Sequence, residues 1–297
     1  MKKVSVDSFV SSLGIKVPDV KKFWQLGDLT SLWMDEQKKF WRLNYERGPL
    51  LYALVAKYRP TNVLEFGTGG GFSTLCMAWA MNDFGINGKI YTIDRYSIDS
   101  KFERPINYDE SFSPRVESLS LRELWKKAAQ PDWLKHVEPI TGYSGEAITH
   151  VKLPKIQLAY VDGAHHYEAV KHDFYSTLNL VDNEFGILFD DCMKRPLYGV
   201  KEFIESEVTK NFDAVLIETD KERNFEKLNI PTDPEYGMCW IHSDSLRRSL
   251  ESLYPRSGYE EFLKKHRRYE SLVLKRREKL NSMIPILAKI KFRWWIK

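Results

Sequence analysis

The sequence predicts an α/β domain with a mostly parallel, seven-stranded sheet and helices on both faces. Between residues 59 and 245, short apolar runs of strand length alternate with stretches of helical periodicity. This alternation is typical of βαβ units, which place parallel strands in one sheet. The composition, 43% hydrophobic and 29% charged, is that of a folded protein with a sizeable core.

The order of elements divides the chain into three predicted regions. Residues 1–58 form an N-terminal helical extension, in which apolar side chains recur every three or four residues from residue 18 onward. Arg59-Pro60 ends it, because the residue before a proline avoids the helical conformation. Residues 59–245 form the central domain, and residues 246–297 form a basic C-terminal helical segment.

Seven strands are predicted in the central domain. In chain order they are 62–66, 89–93, 136–140, 156–161, 186–189, 214–218 and 236–242. The last two form an antiparallel pair at one edge, because no convincing helix separates them. Helical stretches lie between the others, at 72–81, 119–130, 145–151 and 166–181. Residues 95–118 are irregular and predict a long loop or lid on the substrate side.

The most informative segment is VLEFGTGGGFST, residues 63–74, in which an apolar strand enters a glycine-rich turn and then a helix. Glycines let the backbone approach a ligand, and N–H groups at the helix N-terminus supply donors. A dinucleotide fingerprint starting at Gly67 needs a small residue where this chain has Phe72, which disfavours an NAD-linked oxidoreductase. The pattern is E-x-G-x-G-x-G, and Glu65 at its head suits a ligand with an ammonium group. Asp94, at the end of the second strand, is placed to accept both hydroxyls of a ribose.

Carboxylates also follow the fourth and fifth strands. Asp162 ends the fourth strand, and Asp190 and Asp191 end the fifth. The C-terminal ends of parallel strands lie along one edge of a sheet, where the three carboxylates repel each other unless a cation lies among them or some are protonated. Mg²⁺ and similar hard cations take oxygen ligands. The sequence therefore predicts a Mg²⁺ or Mn²⁺ site at these aspartates. The alternatives are a helix cap at Asp162 and a solvated Asp-Asp turn.

A histidine beside the fourth strand is the predicted general base. His165 lies three residues after Asp162. Imidazole accepts a proton near neutral pH and can therefore take one from a substrate hydroxyl. On the sequence alone, His166 could serve equally.

The glycine turn and Asp94 resemble the motifs of class I S-adenosylmethionine (SAM)-dependent methyltransferases, which have a Rossmann-like fold. The resemblance implies that the turn holds the methionine end of SAM and that Asp94 binds its ribose. It also implies that the loop after the third strand borders the adenine. The cofactor-binding residues predicted in this way are Glu65, Gly67, Thr68, Gly69, Gly71, Asp94, Tyr143, Ser144 and Asp162.

The segments VDGAHHYEAVKHDF and GILFDD, at 161–174 and 186–191, resemble the D-G-x-H and D-D signatures of a group that includes metal-dependent sugar O-methyltransferases. The resemblance spans roughly residues 46–192 and includes ERGPLLYAL before the first strand. It implies Asp162, Asp190 and Asp191 as metal ligands and His165 as the base. Both flanks and the 95–118 insertion match no pattern that would identify the acceptor.

The resulting functional prediction is SAM-dependent, Mg²⁺-dependent O-methylation of a sugar, glycan or other polyhydroxylated small molecule. One alternative keeps the fold without the metal and has another acceptor, such as a nitrogen or an aromatic hydroxyl. The other is a SAM-binding scaffold or regulator without turnover. Metal dependence of the activity would distinguish the main prediction from the first alternative. The lack of any methyl acceptor would favour the second alternative, the scaffold.

The C-terminal segment, residues 246–297, holds 15 Lys/Arg against 5 Asp/Glu in a chain whose net charge is +4. We favour a solvated helix whose apolar stripe packs on the main domain. The alternatives are peripheral membrane contact anchored by Trp294 and Trp295, a homo-oligomer contact, and a nucleic-acid patch, of which nucleic acid is the least favoured. Three cysteines without paired spacing, no convincing signal peptide and no membrane-spanning apolar run predict a cytoplasmic protein, at most peripheral at a membrane.

Overall fold

The computed structural model describes residues 1–35, 37–42, 44–193, 198–219 and 237–245, with five single positions between 261 and 272. The predicted basic segment therefore lies largely outside the described residues. The strands are β1 (Lys2–Ser5), β2 (Leu32–Met34), β3 (Phe40–Arg42), β4 (Asn62–Phe66), β5 (Lys89–Asp94), β6 (Lys101–Ile106), β7 (Arg115–Ser120), β8 (Val137–Thr141), β9 (Ile156–Val161), β10 (Val181–Phe189), β11 (Val215–Glu218) and β12 (Gly237–His242). The helices are α1 (Val6–Ser12), α2 (Val20–Thr30), α3 (Arg47–Tyr58), α4 (Phe72–Asp83), α5 (Leu121–Ala128), α6 (Pro131–Leu134), α7 (Ser144–His150), α8 (Tyr167–Leu180) and α9 (Val200–Ser206).

The central sheet of the described chain has the order β1-β11-β12-β10-β9-β4-β5-β8. The strands from β10 to β8 are parallel, and β12 runs antiparallel to both β10 and β11. The predicted mostly parallel α/β sheet is therefore confirmed. It has eight strands instead of seven, because Lys2–Ser5 of the N-terminal extension pairs in parallel with β11 at the edge.

Each face of the sheet is covered by its own set of helices. Successive strand side chains point to opposite faces, so Val63 packs with residues of α3 and α4, whereas Leu64 packs with residues of α8 and α9. The helix predicted at 72–81 is α4, whose residues are almost all buried. No helix among the described residues is long and apolar enough to cross a membrane.

The structure differs from the sequence-based prediction in two segments. The stretch from 18 to 58 is not continuous helix, because β2 and β3 pair as a hairpin between α2 and α3. The reversal uses the left-handed backbone of Lys38 (φ 60) and the Asp35 carboxylate, which accepts a hydrogen bond from the Lys39 N–H. The segment 95–118 is not an irregular loop, because β6 and β7 pair as a second antiparallel hairpin.

Candidate active site

The glycine turn between β4 and α4 depends on backbone conformations that favour glycine. Gly67, Gly69 and Gly71 have φ values of 88°, 55° and 89°, in the left-handed region. A Cβ atom on Gly67 would also lie 2.1 Å from the carbonyl oxygen of Asp162, at the end of β9. The turn therefore requires glycine both for its own shape and for the close approach of the neighbouring strand.

Two side elements cover this turn. A Cβ atom on Gly70 would lie only 1.7 Å from the carbonyl oxygen of Thr30, at the end of α2. From α5, the Trp125 indole N–H donates to the Gly70 carbonyl at 3.1 Å. Sequence reasoning missed both contacts, because they join the turn to segments 40 and 55 residues distant.

Two of the predicted cofactor residues lie beneath the turn. The Glu65 carboxylate is fully buried and accepts hydrogen bonds from the Ser73 and Thr74 hydroxyls of α4. Burial raises the pKa of Glu65, and these hydrogen bonds oppose the shift. The Thr68 hydroxyl is also buried and lies 2.5 Å from that of Thr92. In this structure both side chains make hydrogen bonds within the protein that support the turn.

Asp94 lies on the open side of the turn. Its Oδ2 accepts a hydrogen bond from the Gly69 N–H at 3.1 Å, and its Oδ1 accepts one from the Tyr96 N–H at 3.0 Å. The Asp94 carbonyl accepts a hydrogen bond from the Gly142 N–H at 2.8 Å, which holds the loop after β8. Tyr143 and Ser144 follow Gly142 in this loop and are both partly exposed. The structure thus brings the predicted ribose-binding carboxylate and the predicted adenine loop to one edge.

The acidic residues after β9 and β10 converge with the predicted base. Ligand-type atoms of Asp162, His165 and Asp191 all lie within 4.8 Å of one another. His165 Nδ1 is 3.2 Å from Asp191 Oδ2, and the imidazole stacks on Tyr198 with ring centroids 4.8 Å apart. Asp191 has a left-handed backbone (φ 50), a conformation that is concentrated at functional sites. We refer to Asp162, His165 and Asp191 as the acidic cluster.

Asp190, the third predicted metal ligand, is engaged by protein donors. It is 2% exposed and accepts hydrogen bonds from Asn44 at 2.7 Å, the Tyr160 hydroxyl at 2.6 Å and Arg47 at 3.2 Å. Burial, with the neighbouring aspartates, raises the pKa of Tyr160, so this hydroxyl stays protonated and donates. Arg47 Nη1 also lies 3.9 Å from Asp162 Oδ2. Asn44, Arg47 and Tyr160 are site residues that sequence reasoning did not identify.

A buried carboxylate holds both hairpins beside the site. Asp28 of α2 accepts two hydrogen bonds from Arg42 of β3, at 2.7 and 2.6 Å. It also accepts from the Tyr45 hydroxyl at 3.2 Å and from Asn107, just after β6, at 2.8 Å. Burial and the Asp28 charge raise the pKa of Tyr45. The hairpins β2–β3 and β6–β7 are therefore fixed to one point on α2.

Residues 64–192 match a family model described as a methyltransferase domain. The match begins within β4 and ends just after Asp191, so it includes the glycine turn, Asp94 and the acidic cluster. Arg47 and Asn44 lie outside it.

Individual relatives are more distant. The chain is 26% identical over 148 residues to the uncharacterized protein y4gI of Sinorhizobium fredii, an alignment that covers 50% of this chain but only 15% of that protein. Among solved structures it is similar to the O-methyltransferase TomG from Streptomyces achromogenes, which is involved in tomaymycin synthesis and was solved with SAM. The two are 18% identical, the match covers 80% of this chain and 94% of that chain, and the TM-score is 0.48. A Bacillus cereus O-methyltransferase in complex with S-adenosylhomocysteine (SAH) is similar at 17% identity, 80% of this chain, 96% of that chain and a TM-score of 0.46.

The family match covers the segments on which the methyltransferase resemblance was based. It takes in the turn of E-x-G-x-G-x-G after β4 and both aspartate-bearing strand ends. The match to a methyltransferase domain thus agrees with the resemblance on which the sequence-based prediction was made.

Proposed function

We propose that this protein is a SAM-dependent O-methyltransferase that methylates a hydroxyl of a sugar or another polyhydroxylated small molecule. The observation that carries the proposal is the pairing of His165 with Asp191 at the sheet edge that also holds the glycine turn. The two parts are directly linked, because the Asp162 N–H donates to the Phe66 carbonyl at 3.0 Å. A methyl donor on the turn and a proton acceptor after β9 would therefore be neighbours.

The open carboxylate of Asp94 supports the cofactor part of the proposal. It lies beside the turn and the loop of Tyr143 and Ser144, and the family resemblance implies that an acid at this position binds the ribose. A methyl sulfonium is already an activated electrophile. The protein then has to hold donor and acceptor in line and to remove one proton.

The His165–Asp191 pair can remove that proton. Asp191 faces Nδ1, so a proton on Nδ1 is donated to the carboxylate and leaves Nε2 as the acceptor. Stacking on Tyr198 fixes the plane of the imidazole. The remaining oxygens of Asp162 and Asp191 can accept hydrogen bonds from the hydroxyls of a polyhydroxylated acceptor.

The acidic cluster also fits a hard divalent cation, because its two carboxylates and one imidazole offer converging donor atoms. Asp162 and Asp191 would hold Mg²⁺ or Mn²⁺ through their oxygens, with Asp190 behind them, and His165 would keep its role as the base. When bound, the ion would lower the pKa of a substrate hydroxyl.

Arg47 favours a second candidate, the same methyl transfer without a metal. Its guanidinium already brings a positive charge to Asp190, at 3.2 Å, and to Asp162, at 3.9 Å. In this version Arg47 offsets the repulsion between the carboxylates, and the His165–Asp191 pair deprotonates the acceptor alone.

Calorimetric titration of the full chain with SAH, with NAD as the control, tests the cofactor. Saturable binding of SAH alone supports the proposal, and absence of SAH binding overturns it. Methyl transfer from SAM to a panel of sugars and polyols is then measured with Mg²⁺, with Mn²⁺ and with excess EDTA. Loss of transfer in EDTA supports the metal site, and full transfer in EDTA selects the metal-independent candidate. SAH binding without transfer to any acceptor would contradict the proposed acceptor class and favour a SAM-binding scaffold.

A further inference from the structure

A cavity of about 740 Å³ lies between α2, α3, α4 and the segment that leads into α6. It is separate from the acidic cluster, none of whose residues lines it. Trp79 of α4 lines the cavity seven residues beyond Phe72, so it lies about 10 Å along the helix from the glycine turn. The cavity is open to solvent on one side, so a ligand could enter it directly.

The floor of the cavity is aromatic. Tyr52, Trp79 and Trp133 line it and are each less than 9% exposed. Trp79 stacks on Trp133 with ring centroids 5.1 Å apart and meets Tyr52 edge to face at 5.4 Å. A further ring in the cavity would meet the small exposed part of these side chains, and an edge-to-face contact there is favourable because ring edges and faces carry opposite partial charges.

The rim of the cavity is mainly cationic. Lys16 and Lys22 line it and are exposed, and neither forms an ion pair with an acid of the described residues. The acid on the rim is Asp83, whose Oδ2 accepts a hydrogen bond from the Tyr52 hydroxyl at 2.8 Å. The two ammonium groups therefore outweigh the single carboxylate, and the rim attracts an anion.

We propose that this cavity is a second binding site that takes a small aromatic carboxylate, with the ring on the Tyr52, Trp79 and Trp133 floor and the carboxylate between Lys16 and Lys22. The site is independent of the methyl-transfer centre, so its occupation does not depend on the proposed function. A neutral ring would lack the ionic contact, and an aliphatic acid would lack the aromatic contact.

The probe is 2-naphthoate, titrated into the full chain by isothermal calorimetry. We expect saturable binding with one site per chain. Two matched compounds are 2-naphthamide, which keeps the rings without the charge, and cyclohexanecarboxylate, which keeps the charge without an aromatic ring. Both are expected to bind more weakly than 2-naphthoate. Equal binding of all three, or no saturable binding of 2-naphthoate, would overturn the proposal.

Variants locate the site. Replacing Lys16 and Lys22 together by glutamine is expected to weaken 2-naphthoate binding about tenfold and to leave 2-naphthamide binding unchanged. Lys21→Gln is the matched control, because Lys21 is an exposed neighbour on α2 that does not line the cavity. The indole N–H signals of Trp79 and Trp133, identified by nuclear magnetic resonance from Trp79→Phe and Trp133→Phe, are expected to shift on binding. Unchanged affinity in the double lysine variant, or unmoved indole signals, would place the ligand elsewhere and refute the site.

Discussion

Arg47 donates a hydrogen bond of 3.2 Å to Asp190, which joins the start of α3 to the end of β10. The Asp190 side chain is 1% exposed and that of Arg47 is 16% exposed, so little solvent screens the pair. The same guanidinium reaches toward Asp162. A residue outside the matched methyltransferase region therefore sets the charge balance of the carboxylate edge.

Arg47→Gln is expected to lower the free energy of unfolding by about 3 kcal/mol, because it leaves a buried carboxylate without its cation. Urea unfolding measures this change. The control is Arg122→Gln, which removes an exposed pair with Asp99 and should change stability little. If the acidic cluster binds a divalent cation, Mn²⁺ should restore part of the stability of the Arg47 variant. Wild-type stability of that variant without metal would refute the assigned charge balance.

Asp94→Asn is expected to weaken SAH binding about 10- to 100-fold, because a neutral amide is a poorer acceptor for the ribose hydroxyls. Isothermal calorimetry measures the affinity. Asp99→Asn is the matched control, since Asp99 is an exposed acid in the loop that follows β5 and pairs with Arg122. Equal SAH affinities of the Asp94 variant and the wild type would remove Asp94 from the cofactor site.

His165→Gln is expected to lower kcat about 10²- to 10⁴-fold with little change in SAH affinity, because general-base assistance is lost while the glycine turn is intact. Steady-state kinetics and calorimetry together separate these effects. His166→Gln, a change at the exposed neighbouring histidine, should leave kcat near the wild-type value. A larger loss in the His166 variant would assign the base to that residue.

Glu65→Gln is expected to change how stability depends on pH. Burial raises the pKa of Glu65 above its ordinary value of 4.5, so the folded state binds more protons than the unfolded state above that pH. The free energy of unfolding of the wild type therefore falls, through this group, as pH rises from about 4.5 to the folded-state pKa. The glutamine variant lacks this contribution. Urea unfolding between pH 5 and 8 should show a smaller loss with rising pH in the variant, and identical slopes would contradict the assignment.

The central sheet was predictable because its strands are short apolar runs separated by helical patterns. The edge strand Lys2–Ser5 was not, because four mostly polar residues carry no strand signal. The hairpin of β6 and β7 was missed for a related reason, since charged residues and Pro105 interrupt its alternation.

The positions of Asp94, Asp162 and Asp191 were predictable, because each follows from the place where its strand ends. The position of Arg47 depends on how α3 packs, and local sequence does not contain that information. The orientation of Glu65 was available from the two-residue period of a strand, because it shares the α4 face with Val63.

The anchoring of both hairpins on Asp28 has a consequence for redesign of this region. Exchanging only one hairpin for a foreign loop would remove Arg42 or Asn107, would leave the buried Asp28 carboxylate short of a donor, and would thereby disturb the anchor of the other hairpin. A transplanted loop must therefore bring its own donor to Asp28, or both hairpins must be exchanged together. In evolutionary terms, the two hairpins are expected to diversify as one inherited unit.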